Sequence, residues 1–388
     1  MTAPTAVYLD NAATTRLDPE VLDAMLPLMT EHFGNPSSIH SHGRAVRTAI
    51  EKARKTVASL LNTSPAEIFF TSGGTEADNT AIRSSIETYS LTHAITSPLE
   101  HHAVLHTLEH LAKQGTIRLS MINVDEKGHV DPAHLEKLLR SFPRSFVSLM
   151  HGNNEIGNLL DMNRVGELCR RYDAIFHSDT VQTMGHFRYD LQTFPVDFVV
   201  GAAHKFHGPK GVGFLYVNAE RANIRPFIYG GAQERNRRGG TENVYGIVGL
   251  AKALEIAYRD MDAHRQHITA LKTRMISRLC SQLPDAQFNG DSADVENSLY
   301  TVLNVSLPAT DLSDMLLFSL DIARISASGG SACASGSNVG SHVLAALPGL
   351  NKDRGYVRFS FGKYNTTEEI DYAVDTLVGL YKKEAKLA

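Results

Sequence analysis

From about Ala66 to Val217, short apolar runs alternate with amphipathic stretches of helical period, and this alternation limits the possible folds more than any other feature. The runs are "EIFFTS", "HAITSP", "IRLSMINV", "SFVSLMH", "AIFHSD", "DFVVGAA" and "GVGFLYV", with segments such as "VGELCRRYD" between them. Strands that are apolar along their length and alternate with helices belong to a mostly parallel sheet covered on both faces. The expectation is an α/β fold. In such sheets ligands sit beyond the carboxyl ends of the strands. Polar residues at those ends are therefore the first candidates for chemistry.

After about Thr241 the texture changes. A long helical stretch from Val244 to Leu283 reads as one broken helix or two. "YTVLNVSL", a helix near "DLSDMLLFSL", a small-residue loop, "GYVRFSFG" and a final helix then describe a smaller α+β domain. We place a large domain at 16–257 and the smaller one at 258–388. A chain of 388 residues is long enough for both.

A net charge of -4 gives no basic surface for nucleic acid or an acidic membrane. No apolar run is long enough to span a bilayer. "MTAPTAVYLD" lacks a basic segment and an apolar signal core, which predicts a cytoplasmic protein. Cys169, Cys280 and Cys333 form no C-x-x-C pair, which argues against a disulfide framework or a zinc ribbon. Cys169 and Cys280 lie among leucines in helical patterns and read as inert core thiols.

Four stretches carry candidate chemistry. In "IFFTSGGTEADNTAIRSSIE" a strand turns through Gly73 and Gly74 into a helix opened by Thr75 and Glu76. The glycines allow close backbone approach, and the helix amides attract an anion. Taken alone, a plain capped turn is the better reading. The spacing fits neither a Walker loop nor the dinucleotide fingerprint, so a phosphate there would not belong to ATP or NAD. In "AIFHSDTVQT", Asp179 ends an apolar strand with Gln182 nearby. A carboxylate there needs a partner: a protonated ring nitrogen, a helix amide or a salt bridge.

"SPLEHHAVLHTLEH" puts His102, His106 and His110 on one helix face, which reads as solvated because no carboxylate or cysteine completes a metal set. His101 lies where strand gives way to helix, and its imidazole could stack on a cofactor ring and move protons. In "VVGAAHKFHGPKGVGFLYV", Lys205 ends another apolar strand. A desolvated lysine loses its proton readily, and the neutral amine forms Schiff bases. A lysine reaching out to the sheet rim is the alternative. A phosphate cradle, an acid for a pyridinium nitrogen and a Schiff-base lysine, all at strand ends of one domain, together describe a pyridoxal phosphate site.

The motifs "YLDNAATT", "FGNPSS", "TSGGTEADN", "EHHAV", "HGNNEIG", "HSDTVQ", "AAHKFHGPKG", "RRGGTEN", "SGGSACASG" and "VRFSFG" run in order along nearly the whole chain. With them the sequence closely resembles the cysteine desulfurases of the NifS/IscS-like group, in the class-V aminotransferase family. The resemblance implies the type I pyridoxal phosphate fold: a mostly parallel seven-stranded sheet covered by helices, with a smaller α+β C-terminal domain. It also implies that residues 1–15 pack with the small domain, and that a mobile cysteine loop spans about 326–341.

By resemblance, Lys205 holds the cofactor covalently, Asp179 pairs with its ring nitrogen, Gln182 bonds its ring hydroxyl and His101 stacks on its ring. Gly74, Thr75 and His204 contact the phosphate, and Asn154 lies beside the ring. Thr241 resembles the residue that reaches the neighbouring subunit's phosphate, which implies a homodimer. Ala202 stands where many relatives place a phosphate-binding hydroxyl, so one donor is missing. Arg358 resembles the arginine that clamps the substrate carboxylate, a bidentate task suited to guanidinium, with Asn35 as its helper. On its own strand Arg358 points away from Val357, Phe359 and Phe361 and would otherwise read as solvated.

Cys333 lies in "SASGGSACASGSNVGS", a run too small-sided to pack much core. The resemblance makes Cys333 the nucleophile that takes sulfur from L-cysteine as a persulfide. L-alanine leaves, and the sulfur passes to acceptors such as an iron–sulfur scaffold protein. Cys333 could also ligate a cluster iron transiently; no other metal site is expected. Rival readings are a selenocysteine lyase or another β-elimination enzyme on the same scaffold, and a cysteine hydrolase built on Cys333 and His342. For the latter, "GGSAC" lacks the final glycine of a nucleophile elbow.

Overall fold

The computed structural model describes residues 6–311, 313–329, 340–351 and 353–384. The first strand, β1 (Val7–Tyr8), belongs to a separate two-stranded sheet. All seven apolar runs then enter one sheet: β2 (Ile68–Thr71), β3 (His93–Thr96), β4 (Arg118–Met121), β5 (Phe146–Ser148), β6 (Ile175–Ser178), β7 (Phe198–Ala202) and β8 (Gly213–Val217). Their spatial order is β2-β8-β7-β6-β5-β3-β4. The pairs from β4 through β7 are parallel, and β8 runs antiparallel to both β7 and β2.

Both faces are covered. Phe198 and Val200 pack under the helices Gly74–Tyr89 and His102–Lys113, whereas Val199 between them joins the core on the opposite face. Leu215 and Phe214 divide in the same way. This is the period-two alternation of a strand with apolar neighbours above and below. β4 differs: at the sheet edge none of its residues is fully buried, which explains its Arg118 and Ser120.

The long helical stretch is two helices, Val244–Arg259 and Met261–Gln282, broken at Asp260. The first packs against Pro19–Thr30 and Ser41–Leu60 under the large sheet. The second packs against the final helix, Thr367–Glu384. Beside it, β9 (Gln287–Phe288), β10 (Val302–Leu307) and β12 (Gly355–Ser360) form an antiparallel sheet with β10 in the middle, while β11 (Ile325–Ser326) pairs in parallel with β1. Asp10 bridges to Ser360, so the N-terminal segment runs alongside β12. That contact brings residues from opposite ends of the chain to one place.

Candidate active site

The carboxyl ends of five strands of the large sheet lead to one cavity of about 180 Å³. β2 enters the helix Gly74–Tyr89 through Gly73, whose φ of +157° is one that L side chains rarely adopt. A Cβ on Gly74 would lie 2.8 Å from Val181 Cγ2. Among the described residues no side chain caps this helix, which leaves its first N–H groups for an anion beside Gly74 and Thr75. His204, across the cavity, is neutral at pH 7: burial, with the charges of Lys205 and Lys210, pushes its pKa down to about 4.

β3 leads to His101, whose Nδ1 accepts from the Ala103 amide at 3.2 Å and so caps the helix His102–Lys113. With Nδ1 as acceptor, the ring proton sits on Nε2. β6 leads to Asp179, which accepts from the Val181 amide at 2.9 Å. Gln182 Nε2 donates to the Ala12 carbonyl at 3.0 Å. After β7, Lys205 Nζ donates to the carbonyls of Ala12 and, at 2.9 Å, Ala13. Ala202, 1% exposed, lines the cavity without a hydroxyl.

Arg358 enters from β12 and is buried, not solvated. Its Nη2 donates to Asp10 Oδ1 at 2.8 Å, and its Nη1 to the Asn154 carbonyl at 3.0 Å. Its Nε is buried without a partner among the described residues. Burying an unsatisfied guanidinium donor costs free energy, so the group suits an anionic ligand that arrives later.

Two buried acids that the motifs did not single out lie at or next to the site. Asp78 lines the cavity and Glu100 precedes His101; both are 1% exposed. Burial, together with the charge of Asp179, holds both carboxyls well above the ordinary range. His177 lies behind them, with Nε2 3.3 Å from Asp78 Oδ1 and Nδ1 2.8 Å from Ser148 Oγ. Burial lowers its pKa to about 3, so it too is neutral.

Thus Lys205, His101, Asp179, Gln182, Gly74, Thr75, Asn154, Ala202, His204 and Arg358 share one cavity. Asn35 and Thr241 do not line it; both are exposed, on loops beyond the sheet. Cys333 lies outside the described residues. Cys169 is buried, but Cys280 is exposed and is not a core thiol. It sits one residue, about 100°, past Leu279 on the buried stripe of its helix. The histidine face is only partly solvated: His106 and His110 are exposed, but His102 is half-buried. Its ring centroid lies 4.3 Å from that of His342. His342 Nε2 is bonded to the Glu100 carbonyl at 2.9 Å.

A lysine and an acid at neighbouring strand ends, an uncapped glycine cradle and a free guanidinium N–H fit pyridoxal phosphate carrying an amino acid. Fold and site thus define a type I pyridoxal phosphate enzyme. The aminotransferase class-V family matches residues 7–373. A cysteine desulfurase IscS of Dictyoglomus turgidum is 42% identical over 380 residues, covering 97% of this chain and 95% of its own. Among solved structures, a NifS-like protein aligns with a TM-score of 0.89 at 37% identity, covering 98% of this chain and 100% of its own. SspA in complex with cysteine aligns at 0.80 and 30% identity, covering 93% and 100%. The chain belongs to the aminotransferase class-V family, among its cysteine desulfurases.

Proposed function

We propose that this chain converts L-cysteine to L-alanine and passes the sulfur to Cys333 as a persulfide, for delivery to acceptors such as an iron–sulfur scaffold protein. What carries the reading is the meeting of Lys205, Asp179, Gln182 and His101 with the free donor of Arg358 in one cavity. When bound, pyridoxal phosphate joins amines through its aldehyde and withdraws electrons from the amino acid's α-carbon. Gly74, Thr75 and His204 would hold its phosphate, Asp179 its ring nitrogen, Gln182 its ring oxygen and His101 its ring face. Arg358 binds the substrate carboxylate, with Asp10 and the Asn154 carbonyl fixing its fork. Lys205 takes the α-proton with His101 beside it. The Cys333 thiolate then forms an S–S bond to the substrate sulfur as the C–S bond breaks, its electron pair staying with carbon. Reprotonation releases alanine.

Exposed apolar residues near the two outlying loops support a homodimer: Leu26, Met29, Phe33, Ile39 and Tyr229 are each at least half exposed. In that dimer Thr241 would serve the partner's phosphate. No helix among the described residues is long and apolar enough to cross a membrane. The cytoplasm, where thiols stay reduced, suits the chemistry.

The test is to incubate purified protein with L-cysteine, quantify alanine, and map sulfur on the protein by mass spectrometry. Alanine in step with persulfide on Cys333 is expected. Pyruvate and sulfide without alanine would overturn the reading.

A further inference from the structure

The short helix His342–Ala346 follows the segment that carries Cys333 and docks on two cavity-lining turns. Val343, Leu344 and Leu347 pack with Leu99 of one turn and Ile156 of the other. Ser341 Oγ bonds the Glu155 carboxylate. Asn153 joins the two turns, donating to the Leu99 carbonyl at 3.0 Å and accepting from the Glu155 and Ile156 amides. The first turn presents His101 to the cavity, and the second presents Asn154.

His342 is the polar link in this contact. A carbonyl oxygen only accepts, so the 2.9 Å contact from His342 Nε2 to Glu100 O fixes the ring proton on Nε2. The bonded carbonyl belongs to the peptide that leads directly into His101. The same residue is held from its other end, where Glu100 Oε1 accepts from the Met150 amide at 2.8 Å. The His342 ring packs on His102, which stacks in turn on His106 at 4.5 Å. Any flat ring could fill that space; only an N–H donor there also holds the Glu100 carbonyl.

We infer that His342 is a positioning residue, which clamps the Glu100–His101 peptide and so sets the His101 ring over the cavity. It thereby joins the catalytic turn to the chain that follows Cys333. The inference rests on the desulfurase reading, which gives His101 its part in proton transfer.

The test compares His342→Phe, which keeps a ring but has no donor, with His342→Gln, which restores an N–H. Alanine formation, holoenzyme melting temperature and ¹⁵N-histidine spectra of His101 are measured on each. His342→Phe is expected to lower kcat on the order of tenfold, the scale of a mispositioned proton-transfer group. KM for L-cysteine and melting temperature should stay near wild type, and the His101 ring signals should shift. His342→Gln should recover most of kcat. Wild-type kcat and unmoved His101 signals in His342→Phe would overturn the inference. So would a kcat loss that only follows a loss of melting temperature. If wild-type protein makes no alanine, the desulfurase reading has failed, while the His101 signals still decide whether the clamp exists.

Discussion

Lys205 and Lys272 both donate to backbone carbonyls, in opposite surroundings. Lys205 lies at the end of β7 beside Asp179, Gln182 and the glycine cradle. Lys272, on the helix Met261–Gln282, is 0% exposed and donates to Ser298 Oγ at 2.9 Å and the Leu299 carbonyl at 3.2 Å. Burial brings its pKa down to about 7. By ease of proton loss alone, Lys272 would pass for a nucleophile. It instead packs in the smaller core and pins the Ser298 turn. An amine becomes a site through what converges on it, not through desolvation alone.

The largest effect separates the two directly. Lys205→Ala should cut alanine formation by about 10³-fold or more, as expected for a lost covalent group, while Lys272→Met should leave kcat within about twofold. Equal losses would erase the distinction. Cys333→Ser should abolish alanine release and keep the visible absorbance, which absorption spectra with an alanine assay would read. Arg358→Lys keeps the charge but loses the fork. It should lower kcat/KM about 10- to 100-fold, mostly through KM, since a charge-assisted bond contributes about 1.5–3 kcal/mol.

Lys272 has its own signature. Its folded pKa lies below the ordinary lysine value, so between about pH 7 and pH 10 the unfolded chain holds a proton that the folded one lacks. This contribution makes stability rise with pH across that window. Denaturant titrations of wild type and Lys272→Met should diverge there, with the shallower pH dependence in the variant; identical profiles would refute the shift. Smallest is Ala202→Ser, which adds a hydroxyl to the cavity. One new hydrogen bond of about 1 kcal/mol should tighten cofactor binding about fivefold in apo-protein reconstitution.

The sheet was legible because its strands are covered on both faces and read as unbroken apolar runs. Lys205 and Asp179 were legible for the same reason: each interrupts such a run at its end. Arg358 was half legible. Alternation along β12 gave its direction, but its burial depends on Asp10, 348 residues away. Asp78 and Glu100 look like ordinary helix-start acids in sequence; only the packing of helix on sheet removes them from water. Cys280 was misread because leucine neighbours do not say which side of a helix is buried. Half-buried His102 owes its environment to His342, a contact between distant segments that helical period cannot reveal.

Borohydride reduction of the purified, coloured protein, followed by peptide mapping, shows which lysine holds the cofactor. The cofactor's mass is expected on the peptide containing Lys205, with the visible band lost and L-cysteine turnover abolished. Attachment at Lys272 or any other lysine, or no attachment in protein that still forms alanine, would contradict it.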